Sequence, residues 1–175
     1  MIFKKILLLT LLLSIILISG CSNQTKKITY GGPGMNETFQ DGDILTISLL
    51  PYKPKQGDII AIQPPGYDEP IITRIIAVEG QTVDFDFDEW FVYVDGEVID
   101  EPYIYYMPDR LMHKDDITPD MLPIKIEPGK IFVMGDNRNN TLDSRDKSIG
   151  QVDVECIVGN VVEVEYRVTN PVIEE

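Results

Sequence analysis

Short apolar runs rich in β-branched residues, each closed off by glycine or proline, most limit what this chain can fold into. The 175 residues include 12 prolines and 13 glycines. Beyond residue 28 no long stretch places apolar side chains at helical spacing, and no internal repeat is visible. What remains reads as strands. Asp43-Ile44-Leu45-Thr46-Ile47-Ser48-Leu49 alternates in part, and Asp58-Ile59-Ile60-Ala61-Ile62 and residues 71–78 are short and β-branched. Residues 90–99 predict a hairpin with Asp95-Gly96 as its two-residue turn, because both positions of such a turn need positive φ. Residues 130–134 and 152–168 supply the last strands, the latter predicted to turn back at Gly159-Asn160. The pattern predicts an all-β domain, and the length suits one domain with a sizeable core.

Two segments interrupt this pattern. Residues 106–128 hold Pro108, Pro119, Pro123 and Pro128 amid mixed charges and read as a long excursion. Residues 170–175 read as a tail. Asp84-Phe85-Asp86-Phe87-Asp88-Glu89 invites a calcium reading, but Glu89 stands where the loop would need glycine, and the period of two fits a strand arm with its acids in solvent.

Charge and sulfur exclude some functions. The net charge is −14, and the first twenty residues carry Lys4 and Lys5 with no acid, so the remainder is more acidic still. Such a surface repels phosphate backbones, and nucleic acid is not an expected partner. With two cysteines, Cys21 and Cys156, and a single histidine, His113, no zinc-ligand spacing exists, and neither metal nor cofactor is expected. Cys156 lies in an apolar run and is expected to be a buried, inert thiol.

The N-terminus reads as an export signal. Residues 1–5 form a short basic segment, and residues 6–18 are apolar except for Thr10 and Ser14. As a helix that run would span about 20 Å, short of the ~30 Å hydrocarbon core, which suits a signal peptide over residues 1–20. Ile18-Ser19-Gly20-Cys21 then resembles a bacterial lipobox. The resemblance implies a lipidated Cys21 at the new N-terminus and a tether over residues 21–30. The alternative is an uncleaved, single-pass N-terminal anchor. Either way the body of the protein lies at the extracytoplasmic face of the cell membrane, since positive charge stays inside. Cys21 and Gly34 are at most about 45 Å of extended chain apart.

The most telling run is Gly135-Asp136-Asn137-Arg138-Asn139-Asn140-Thr141-Leu142-Asp143-Ser144-Arg145, a polar loop between two apolar stretches. It resembles the GDNR…DSR box of type I signal peptidases, bacterial membrane-bound serine endopeptidases of the S26 type. Other stretches match that family in order. Gly31-Gly32-Pro33-Gly34-Met35-Asn36-Glu37-Thr38-Phe39-Gln40-Asp41-Gly42-Asp43 resembles its G-x-S-M-x-P-T-L-x-x-G-D box. Gly57-Asp58-Ile59-Ile60-Ala61-Ile62 resembles the strand after it, and Thr73-Arg74-Ile75-Ile76-Ala77-Val78-Glu79-Gly80 the K-R box. Val94-Asp95-Gly96 and Glu101-Pro102-Tyr103 match its VNG…EPY hairpin. The matches run from about residue 31 to 165, within a domain drawn over 31–169. They imply a core of antiparallel sheets with a groove for an extended exported polypeptide.

In that family the serine of S-M is the nucleophile and the lysine of K-R is the general base. Burial lowers a lysine's pKa, leaving a free amine to take the serine proton. Here the serine position is Gly34 and the lysine position is Thr73, and neither can play its part. The resemblance keeps Met35, Thr38, Arg74, Asp136, Asn137, Arg138, Asp143, Ser144 and Arg145 as the supporting site. It implies an ion pair between Asp143 and Arg145, and Thr141 in place of a serine beside the base. Thr38 and Ser144 are the hydroxyls available on paper as substitute nucleophiles, and His113 the sole histidine for a triad. The reading is a non-catalytic protein that binds an extended segment of exported proteins, signal-peptide segments included. The alternative is an active signal peptidase.

Overall fold

The computed structural model describes residues 24–89, 91–104 and 117–166. Residues 1–23, with the stretch read as an export signal and Cys21, residues 105–116 with His113, and residues 167–175, with the stretch read as a tail, lie outside them. Among the described residues no helix is long and apolar enough to cross a membrane.

Among the described residues eleven antiparallel strands form two sheets. In chain order they are β1 (Thr25–Thr29), β2 (Ile44–Ser48), β3 (Ile59–Ile62), β4 (Ile71–Val78), β5 (Thr82–Phe85), β6 (Val92–Val94), β7 (Glu97–Val98), β8 (Ile124–Lys125), β9 (Lys130–Met134), β10 (Val152–Asp153) and β11 (Ile157–Glu165). The larger sheet has the order β1-β2-β11-β3-β4-β9-β10 and the smaller β7-β6-β5-β8. The all-β expectation holds.

The two faces of the larger sheet explain its composition. Leu45, Ile47, Ala61 and Ile72 pack on one face with Tyr30, Met35 and Phe39. Ile60, Ile62, Ile75, Ile131 and Val133 pack on the other. Because β3, β4 and β9 are covered on both sides, they read as continuous apolar runs rather than alternating ones. A third cluster, around Ile76, Val83, Phe85, Val94, Ile126, Phe132 and Met134, joins the two sheets.

The hairpin turn forms as its sequence requires, with Asp95 at φ 54° and Gly96 at φ 84°. Asp84 falls in β5, and the Asp86 carboxylate closes the turn after it by accepting from the N–H groups of Asp88 and Glu89, both at 2.9 Å.

Three expectations need correction. Gly159-Asn160 is not a turn: β11 runs straight through it, with bulges against β3 and β2. Glycine is required at 159 because a Cβ there would collide with the Ser48 carbonyl oxygen of β2. Cys156 is only half-buried, since it ends a single 3₁₀ turn, Val154–Cys156, rather than lying within a strand. The described end of the 106–128 excursion is ordered structure, with a 3₁₀ turn at Pro119–Met121 and strand β8 paired to β5. In addition, the segment read as a tether contributes β1, which pairs with β2 along its whole length.

Candidate functional site

A cleft of about 620 Å³ opens between two backbone segments of the larger sheet. One wall is the end of β1 with residues 30–33; the other is Pro70, Ile71 and Ile72 at the start of β4; Gly34 and residues 139–142 make the floor. Among the described residues both walls present strand edge without a partner strand. β1 is the outermost strand of its sheet, and β4 meets β9 only from Arg74 onward, so Ile71 to Thr73 pair with β3 alone.

The glycine-rich wall stands on an aromatic platform. Tyr30 and Phe39 pack with ring centroids 5.5 Å apart, and Met35 is fully buried beside them. The Tyr30 hydroxyl donates to the Gly32 carbonyl and accepts from the Met35 N–H, both at 2.7 Å. Burial raises its pKa, so it stays a donor.

Gly34 and Gly135 meet at one side chain, Thr141. A Cβ on Gly34 would lie 3.0 Å from Thr141 Oγ1. A Cβ on Gly135 would collide with the same hydroxyl and lie 2.5 Å from the Gly34 carbonyl oxygen, which is why Thr141 fits only over a glycine. The β4–β9 register, with Arg74 opposite Met134, carries Thr73 abreast of Gly135. Thr73 is fully buried opposite Ile60, and its hydroxyl has no hydrogen-bond partner. Among the described residues no lysine or histidine lines the cleft.

Behind the floor lies a buried set of ion pairs. Arg74 donates to both oxygens of Asp136, at 2.8 and 2.6 Å, and to the Gly57 carbonyl at 3.0 Å. Its guanidinium lies 3.7 Å from the centre of the Tyr103 ring, a cation–π stack. Arg145 donates to both oxygens of Asp143, at 3.0 and 2.8 Å, and to the Arg138 carbonyl at 2.7 Å. Arg138 is paired with Glu101 and donates to the Gly135 carbonyl at 3.0 Å. Burial works against the Arg138 charge, and the Glu101 carboxylate more than offsets it, holding the guanidinium above its ordinary pKa. Burial and then Glu101 push up the Tyr103 phenol, which donates to Glu101 at 3.0 Å. Both buried carboxylates of the box are thus engaged by arginines.

The substitute nucleophiles sit elsewhere. Thr38 Oγ1 donates to Asp136, and the buried Ser144 Oγ accepts from the Val133 N–H at 2.9 Å. Neither lines the cleft. Glu101 and Tyr103 hold the site together, yet sequence reasoning gave them no role; their only signal was the match to EPY. Asn137 binds the cleft wall through a side-chain amide that donates to the Pro33 carbonyl at 3.0 Å.

Comparison with known proteins agrees with this geometry. The model of the family described as signal peptidase, peptidase S26 matches residues 3–166. Signal peptidase I S of Bacillus subtilis (strain 168) is 39% identical over 92 residues, 51% of this chain and 48% of that protein. Probable signal peptidase I-1 of Synechocystis sp. is 36% identical over 121 residues, 63% of this chain and 56% of that protein. The chain therefore spans about half the length of these two relatives. Signal peptidase IB of Staphylococcus aureus (strain N315) is 33% identical over 148 residues, 76% of this chain and 73% of that protein. The crystal structure of a signal peptidase I from Enterococcus faecalis V583 superposes with a TM-score of 0.52 at 25% identity, covering 63% of this chain and 98% of that one. Fold, ordered sequence boxes and a family match over most of its length agree that the chain belongs to the signal peptidase family, peptidase S26.

Proposed function

We propose that this protein binds an extended segment of exported polypeptides without cutting it, at the outer face of the cytoplasmic membrane. The observation that supports this reading is a cleft that lies over buried ion pairs and has Gly34 in its floor, at the position that the resemblance assigns to the nucleophile. Gly34 and Thr73 stand where the family places nucleophile and base, while the walls and the buried ion pairs around them are intact. Strand addition supplies affinity through main-chain hydrogen bonds and specificity through alternate side chains, and it needs neither serine nor lysine. An N-terminal lipid on Cys21, or an uncleaved anchor helix, would keep the cleft near the bilayer.

Binding is tested with a fluorescent synthetic peptide that carries an Ala-x-Ala cleavage site, followed by anisotropy, with mass spectrometry to confirm that the peptide stays whole. Gly31 provides the control, because it lines the cleft and a Cβ there meets nothing within 4 Å. Gly31→Phe should leave the melting temperature unchanged and block the cleft. Saturable binding that survives Gly31→Phe, or no binding by the natural protein, would contradict the proposal.

A further inference from the structure

We propose that the β7 edge of the smaller sheet docks another protein, one that presents an extended segment in which lysine or arginine alternates with apolar residues. The surface shares no residue with the cleft, and the inference does not rest on what the cleft holds.

A groove of about 560 Å³ lies against β7, lined by Phe91, Val98, Ile99, Pro102 and Ile104 together with Asp100. Phe91 is 46% exposed and Val98 50% exposed. Large apolar side chains that share a groove and stay in water form a patch that a partner can cover.

The backbone of β7 is open as well. Among the described residues β7 is the outermost strand of its sheet and pairs with β6 alone. Glu97 sits opposite Val94 beside the two-residue turn, and the Ile99 N–H donates to the Val92 carbonyl at 3.0 Å. Hydrogen-bonded and open positions alternate along an antiparallel pair. Val98, between Glu97 and Ile99, therefore turns its N–H and C=O away from β6. An extended chain can add to such an edge.

Charge selects the occupant. Between Arg74 and Arg110 the sequence holds no lysine or arginine, while residues 84–100 carry seven acids. Glu97 and Asp100 are exposed, and their carboxylates have no hydrogen-bond or ion-pair partner among the described residues. Lys125 of β8 stands on the opposite edge of the sheet, where it donates to the Gly80 carbonyl. An anionic membrane surface is repelled by this face. A second copy of the chain is disfavoured too, because it brings the same acids. A cationic segment is attracted, its apolar residues filling the groove and its cations meeting Glu97 and Asp100.

The test uses the full chain and a fluorescent synthetic peptide of alternating lysine and valine, followed by anisotropy, with its glutamate–valine counterpart as control. The lysine peptide should bind, and high salt should weaken it. Glu97→Lys/Asp100→Lys should weaken it about tenfold at low salt. Asp153→Lys/Glu155→Lys, an equal charge change beside β10 at the edge of the larger sheet, should weaken it less than about twofold. All four residues are exposed, so the melting temperature should hold in both variants. Phe91→Ser should cost about fivefold, and Gly31→Phe, which fills the cleft, should change nothing. Hydrogen exchange at the Val98 amide should slow on binding; this readout on the natural protein decides the matter should a variant fail to fold. No binding, equal loss in both charge-reversed variants, equal affinity for the glutamate peptide, or loss on Gly31→Phe overturns the proposal. So does a dimer in sedimentation that Phe91→Ser disperses, which would give the groove to a second copy.

Discussion

Thr141 Oγ1 lies 3.0 Å from the point where a Cβ on Gly34 would sit. A serine restored at 34 would therefore press on the Thr141 side chain, which is itself seated over Gly135. Gly34→Ser alone should destabilise the protein by about 1 kcal/mol through overpacking. Gly34→Ser with Thr141→Ser should recover part of that loss, since the smaller side chain can move. Urea denaturation of both single variants and the double gives the coupling; strict additivity would show that the two side chains do not compete.

Thr73 carries a buried hydroxyl without a partner. Burying such a group costs about 1–3 kcal/mol, and valine has nearly the same shape. Thr73→Val should raise stability by about 1 kcal/mol, seen as an upward shift of the denaturation midpoint at unchanged slope. A lower midpoint would mean that the hydroxyl is satisfied in solution.

Arg138 and Glu101 join the smaller sheet's trailing segment to the floor of the cleft. Glu101→Ala should cost about 3–5 kcal/mol, because it strands a buried guanidinium. Replacing both residues with apolar side chains, Glu101→Leu with Arg138→Met, should cost less than the single change. An effect below about 1 kcal/mol, the size of an exposed pair, would show that the pair is open to water.

Much of this fold was legible from residue types. β2, β3, β4 and β9 announced themselves as β-branched runs, and Asp95-Gly96 named its own turn, because these signals are local. Gly159 is the opposite case. The glycine answers to the Ser48 carbonyl on a strand more than a hundred positions earlier, and no local pattern reports such an approach. The β1 pairing was hidden likewise, since Thr25–Thr29 is polar and almost wholly exposed and gains its structure from β2. At the site, the resemblance implied the Asp143–Arg145 ion pair, but the Arg74–Asp136 pair and the parts played by Glu101 and Tyr103 arise only where the chain has folded back on itself.

The same reading makes Gly159→Ala a test of the β11 crossing. A methyl group there must push the Ser48 carbonyl aside, so the variant should lose about 2 kcal/mol and β2–β11 amide protection from hydrogen exchange. A turn at this point would tolerate alanine with little change in that pairing.

Attachment to the membrane is expected to run through Cys21. Cys21→Ala should move the protein from the membrane fraction to the soluble fraction. Retention in the membrane fraction would favour an uncleaved N-terminal anchor.

The most direct test of the account is a cleavage assay on a detergent-solubilised signal-peptide substrate. It would compare the natural protein with a Gly34→Ser/Thr73→Lys variant, with and without Thr141→Ser. The account predicts that the natural protein leaves the substrate whole, and that a variant with nucleophile and base restored cuts it at one site. Specific cutting by the natural protein would contradict the central claim and require a nucleophile elsewhere in the chain.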